Sequence, residues 1–263
     1  MSTARAFVTR TLLPEALGHH PGGCDVTVWP EETPPSVEEL RRHCGDADGI
    51  SDHHHGPRGR RPAGRGPTLR AISQLAVGLD NVDVAEATRR GIPVGYTPGV
   101  LAKSTADLAM ALLLGAARRT SESERWLRGG GWQIQFHPTH WLGQDVHEAC
   151  LGIVGLGQIG REIAKRAGGF DMDIVYHSRT RYPDAEAEHG LRYAEFSRPA
   201  GAGRFRRSQC AADSATHHLI SGPQLAMMKP SAILINVSRG RWSIRRRCTR
   251  RCATGRSRGP PWT

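Results

Sequence analysis

The segment Cys150-Leu-Gly-Ile-Val-Gly-Leu-Gly-Gln-Ile-Gly-Arg-Glu-Ile-Ala-Lys-Arg166 enters a glycine cluster from an apolar run. Glycine at 155 permits a tight turn, at 157 lets backbone approach an anion, and at 160 lets a helix pack against the strand. A helix follows directly, so the N–H groups around Gln158 and Ile159 would face a pyrophosphate at the positive helix end. Asp173-Ile-Val-Tyr-His177 follows at the distance of a second strand. The chemistry that fits is dinucleotide binding. An acidic residue after that strand would hold the ribose hydroxyls. This chain has Ser178-Arg179-Thr180-Arg181 instead. Without a carboxylate to repel it, a 2′-phosphate could pair with Arg179 and Arg181 through charge-assisted hydrogen bonds. NADP(H) is therefore the expected cofactor, NAD(H) the alternative, and a KM for NADH below that for NADPH would count against this. Solvated strand-end arginines are the plainer account of the same residues.

Positioning such a turn requires a parallel sheet. Ala4 to Thr9 and Asp25 to Trp29 alternate like strands, and Ser36 to Cys44 reads as a capped helix. Arg70 to Val77 and Ile92 to Tyr96 are strand candidates flanking a helix over Val82 to Arg90. Ser104 to Arg118 is an apolar helix with an expected cap at Ser104 and Asp107 at the capping-box position. Short strands alternating with helices predict an α/β fold.

The net charge is +11, which would ordinarily point to nucleic acid. Its distribution argues otherwise. Residues 52–67 and 197–214 each hold four Arg and one Asp, and residues 241–263 hold eight Arg and no acid. The remainder is slightly acidic, so a nucleic-acid partner is not expected. The six cysteines (24, 44, 150, 210, 248 and 252) form no CxxC pair, so neither a metal site nor a disulfide framework is expected. The longest apolar run, around Leu108 to Ala117, is too short to span a bilayer. The start shows no charged-then-apolar signal region. No membrane association and a cytoplasmic location are the expectations.

Further stretches carry a resemblance. They are Leu75-Ala-Val-Gly-Leu-Asp-Asn-Val-Asp83, Gly95-Tyr-Thr-Pro-Gly-Val-Leu101, Ser104-Thr-Ala-Asp-Leu-Ala109, Gly130-Gly-Trp132, the glycine cluster, and Met228-Lys-Pro-Ser-Ala-Ile-Leu-Ile-Asn-Val-Ser-Arg-Gly240. In this order and spacing the chain resembles the D-isomer-specific 2-hydroxyacid dehydrogenases, most of all the glyoxylate/hydroxypyruvate reductases. The resemblance implies a flavodoxin-like substrate domain over 1–100 and a Rossmann dinucleotide-binding domain, incomplete here, over 101–263. It implies reduction of a small 2-oxoacid by hydride transfer, in a homodimer. It places Val77 and Gly78 on the substrate carboxylate, and Thr105 and Val237 near the cofactor. Arg239 would grip the substrate carboxylate and carbonyl, a role suited to its planar fork of donors. Trp141 would reach substrate, in those reductases that of a neighbouring subunit.

The family also uses a histidine as proton donor, held by a glutamate, both downstream of the Arg-Gly motif. Here no histidine follows His218 and no acid follows Asp213. The chain is therefore expected to be C-terminally truncated and without turnover. The three basic blocks interrupt family elements, and a one-base shift in reading frame accounts for each. Residues 241–263 can be recoded as PVVDPAALYEALRDGPLAGAALDV, residues 198–214 as DLLARADFVVLNVPLTP, and residues 54–67 as TTDRVDAALLDAAP. A frame-disrupted translation is the expectation, and the nucleotide sequence across the blocks decides it. As written, Arg204-Phe-Arg-Arg207 replaces a central strand with charge, which predicts that the strand is lost. A 2-ketogluconate or general 2-oxoacid reductase is the alternative within the family, separable by a substrate panel. A catalytically dead NAD(P)-binding regulator is the alternative outside it, marked by tight NADPH binding with a protein partner and no turnover.

Overall fold

The computed structural model describes residues 3–18, 23–52, 67–135, 138–195, 205–208 and 219–238. The chain divides into two compact units, residues 1–100 and 101–263.

The first unit is built on β1 (Ala4–Val8), β2 (Cys24–Val28), β3 (Gly49–Asp52), β4 (Ala71–Gln74) and β5 (Val94–Tyr96). All pair in parallel, in the order β2-β1-β3-β4-β5. That is the flavodoxin-like order. Helices α1 (Pro14–Leu17), α2 (Val37–Asp46) and α3 (Val84–Arg89) connect the strands. Ser36 caps α2 in a full capping box: its Oγ accepts from the Glu39 N–H, and the Glu39 carboxylate accepts from the Ser36 N–H. Phe7, Trp29, Leu40, Ile50, Ile72 and Ile92 pack the core.

The second unit begins with α4 (Ala102–Ala117) and α5 (Thr120–Arg128). Its sheet holds β6 (Cys150–Val154), β7 (Asp173–His177), β8 (Arg192–Tyr193), β9 (Phe205–Ser208) and β10 (Ile233–Asn236), joined by α6 (Gln158–Gly168), α7 (Pro183–His189) and α8 (Gly222–Ala226). The order β10-β9-β6-β7-β8, all parallel, is the Rossmann arrangement. Leu151, Ile153, Ile163, Ile174 and Tyr176 are among the core residues.

Two expectations are corrected. Helix α4 starts at Ala102 with Leu101 at its N-cap and no side-chain cap, so Ser104 lies inside the helix. Asp107 instead accepts from Arg166 Nε of α6 at 2.6 Å. The predicted loss of a central strand is also not observed. The backbone of Phe205–Ser208 lies between β6 and β10 and pairs with both. Backbone ladders are indifferent to side-chain type, and an empty slot would strand two rows of N–H and C=O groups. The rest of the block at 197–214, with those at 53–66 and 239–263, lies outside the described residues.

Candidate functional site

Strand β6 ends at Val154, and Gly155 turns the chain at φ 96°, in the left-handed region that favours glycine. Its N–H donates to His177 O at 2.7 Å, so the turn lies beside the end of β7. Gly157 is the N-cap of α6 and offers no side-chain cap, which leaves the first helical turn to an outside acceptor. A Cβ at 157 would meet no atom within 4 Å, whereas a Cβ at 160 would lie 2.3 Å from Gly155 O. One glycine keeps space open and the other allows helix and turn to touch. Ile163, Ala164 and Ala167 bury the inner face of α6. The residues present therefore fit a dinucleotide pyrophosphate, held by backbone N–H groups of 157–160 at the helix end.

The end of β7 is more constrained than its sequence suggests. Arg181 makes a bidentate pair with Glu186 of α7, Nε to Oε1 at 2.8 Å and Nη2 to Oε2 at 2.7 Å. The Tyr176 hydroxyl also donates to Glu186 Oε1 at 2.7 Å and accepts from the Tyr182 N–H at 2.8 Å. These bonds from Arg181 and Tyr176 lower the Glu186 pKa to about 2. Arg179 is exposed and Ser178 half-buried. Arg161, one turn into α6, lays its guanidinium over the Tyr182 ring, Cζ 4.7 Å from the centroid. Neither the Arg161 contact nor the Glu186 pairing was read from the sequence; an arginine and an aromatic at strand-loop ends were the only signal.

Thr105 lies in the first turn of α4, where its Oγ1 donates to Leu101 O at 2.9 Å. Val237 follows β10 and packs against the core of its unit. The next residue's N–H, that of Ser238, donates to Asn236 Oδ1 at 2.9 Å. Arg239 lies outside the described residues.

In the first unit, Val77 and Gly78 lie in the turn after β4. Gln74, 1% exposed, supports that turn. Its Nε2 donates to Asn81 Oδ1 at 2.9 Å and Gly78 O at 3.2 Å, and its Oε1 accepts from Asn81 Nδ2 at 3.1 Å. The loop is thus tied at its base by the buried Gln74 amide and by Asn81, a tie that residue types alone do not reveal. Thr97 N–H donates to Ala76 O at 3.2 Å and braces it from β5.

Trp141 belongs to an aromatic cluster of the second unit. It lies 5.5 Å from Trp126, and Arg119 stacks over it at 4.9 Å. Arg119 and Trp141 both sit at φ 57°, a backbone cost that packing must offset. With Thr139 and His140 these side chains line a cavity of about 300 Å³.

Among the described residues no helix is long and apolar enough to cross a membrane, and no group of three metal-ligating side chains gathers.

Residues 110–246 match the model of the D-isomer specific 2-hydroxyacid dehydrogenase NAD binding domain. A glyoxylate reductase of Korarchaeum cryptofilum is 40% identical over 90% of this chain and 71% of its own length. A glyoxylate reductase of Thermococcus litoralis is 49% identical over 66% of this chain and 54% of its own. An NADPH-dependent glyoxylate/hydroxypyruvate reductase of Sinorhizobium meliloti, solved with NADP and malonate, superposes with a TM-score of 0.81 at 28% identity. That match covers 97% of this chain and 77% of the other. A nicotinamide-binding domain with its glycine turn intact, and relatives of this similarity, make the chain a member of the D-isomer-specific 2-hydroxyacid dehydrogenase family of oxidoreductases.

Proposed function

We propose that the chain descends from, and is built as, an NADPH-preferring reductase of glyoxylate or hydroxypyruvate that forms the D-2-hydroxyacid. The observation that carries this reading is the end of β7, where Ser178 and Arg179 stand in place of an acid. When bound, the nicotinamide supplies the hydride. The backbone of 157–160 would hold the pyrophosphate, and the N–H groups at Val77 and Gly78 the substrate carboxylate. Arg239 would hold the carboxylate and polarise the carbonyl. None of the residues after Arg239 is a histidine or an acid, so these 263 residues hold no counterpart of the family's proton donor. Nucleotide binding without turnover is expected of them. Titration of protein fluorescence with NADPH and NADH, alongside glyoxylate-dependent NADPH oxidation, tests this. Tighter binding of NADH, or turnover at rates typical of enzymes, about 1–1000 per second, would overturn it.

The assembly we propose is a homodimer. It is supported by the exposed apolar side chains of Leu127, Trp132, Ile134 and Leu142, which fall within sixteen residues of sequence that also hold Trp141. Sedimentation equilibrium giving only a monomer would refute it.

A further inference from the structure

Arg181 and Arg179 are the obvious cations at the end of β7, and Arg181 is already engaged. Both donor edges that Arg181 uses are taken by Glu186, which lies mostly shielded at 15% side-chain exposure. Glu186 is fixed from the other side by Tyr176, whose ring is buried. A 2′-phosphate could recruit Arg181 only by displacing a carboxylate already in good geometry. Arg161 is placed otherwise. Among the described residues no carboxylate pairs with it. Its guanidinium lies over the Tyr182 ring, which pre-organises the group without neutralising it. The position is also apt. Its backbone is part of the first turn of α6, where the Arg161 N–H donates to Gly157 O at 3.0 Å. Through its side chain on Tyr182, Arg161 connects the helix that opens the phosphate turn to the loop after β7, which faces the adenosine ribose in this fold.

We infer that Arg161, with Arg179, forms the cationic clamp for the cofactor's 2′-phosphate, and that Glu186 withholds Arg181 from it. The inference rests on the NADP reading above and names the residues that enforce it. Calorimetric titration of the full 263-residue chain with 2′,5′-ADP and with 5′-AMP tests both, because these probes differ only in the phosphate at issue. The wild-type chain is expected to favour 2′,5′-ADP. Arg161→Gln is expected to weaken 2′,5′-ADP by about tenfold, the worth of one charge-assisted contact, and to leave 5′-AMP unchanged. Arg181→Gln is expected to change 2′,5′-ADP affinity less than Arg161→Gln does. Arg161→Lys, which keeps stem and charge, is expected to retain part of the preference and serves if the glutamine variant does not fold. A wild-type preference that survives Arg161→Gln, or a loss shared equally by the two nucleotides, overturns the assignment of Arg161 alone. A larger loss in Arg181→Gln overturns the division of labour between the arginines. A wild-type chain indifferent to the 2′-phosphate overturns the NADP reading and the clamp together.

Discussion

Single atoms decide whether the turn after β6 can exist. A methyl group at position 160 would lie 2.3 Å from Gly155 O, a backbone atom that cannot swing aside. Gly160→Ala should therefore force α6 away from β6. The expected cost is about 1–3 kcal/mol, read as a lower urea midpoint, with loss of NADPH binding in the same variant. Retained affinity at unchanged stability would show that helix and turn need not touch. Glu186 gives a prediction with a sign. Its pKa is lowered to about 2 from the ordinary glutamate value of 4.5. The folded state therefore binds this proton less readily than the unfolded chain. Its stabilisation is fully present above about pH 4.5 and is lost as pH falls toward about 2. Asp173, Glu39 and Glu162 are also lowered by their partners, so the comparison must be made by difference. The gap in urea midpoint between the chain and Glu186→Gln should be constant at neutral pH and close across that acid window. A gap independent of pH would mean that the Arg181 pair adds nothing to stability.

At the scale of elements, α7 brings Glu186 to the end of β7, and its ending fixes how it does so. The helix stops at Gly190, at φ 63°, whose N–H bonds to Glu186 O. A residue with a side chain is disfavoured there by about 1–2 kcal/mol, so Gly190→Ala should lower the unfolding free energy by that amount. If Gly190→Ala leaves stability unchanged, the left-handed cap is not required. Elements of this kind were legible where the signal was local. Gly155, Gly157 and Gly160 sit in the turn their spacing predicts, and Ser36 with Glu39 makes the box that opens α2. Local signals misled at α4, where Ser104 and Asp107 imitate a cap. The helix gains more by extending back to Ala102, which is buried, and Asp107 serves Arg166, fifty-nine residues away in sequence. The bond between Arg181 and Glu186, and Gln74 beneath the Val77–Gly78 turn, were invisible for the same reason. Each is created by packing, and residue type alone does not say which of several partners a long side chain will find.

Across the whole molecule, the central strand of the second sheet carries the sharpest conflict between backbone and sequence. Neighbouring β6 is buried on both faces, through Leu151 and Ile153 on one and Val154 on the other. A strand between β6 and β10 calls for an apolar run. The residues there are Phe-Arg-Arg-Ser, and burying a charge costs several kcal/mol unless it is paired. The frame-shifted reading of 198–214, DLLARADFVVLNVPLTP, gives Phe-Val-Val-Leu over the same four positions that the backbone uses as β9. Replacing residues 198–214 by that segment should therefore stabilise the second unit. Urea unfolding followed by tryptophan fluorescence is expected to show a higher midpoint, by several kcal/mol in unfolding free energy. The slope should also steepen, because more surface would be buried. NADPH should raise the midpoint further in the replaced chain than in the original, since ligand stabilisation requires a folded site. Equal midpoints and slopes would mean that the arginine-bearing strand is tolerated as it stands, and the account of the basic blocks as frame-shifted family elements would lose its structural support.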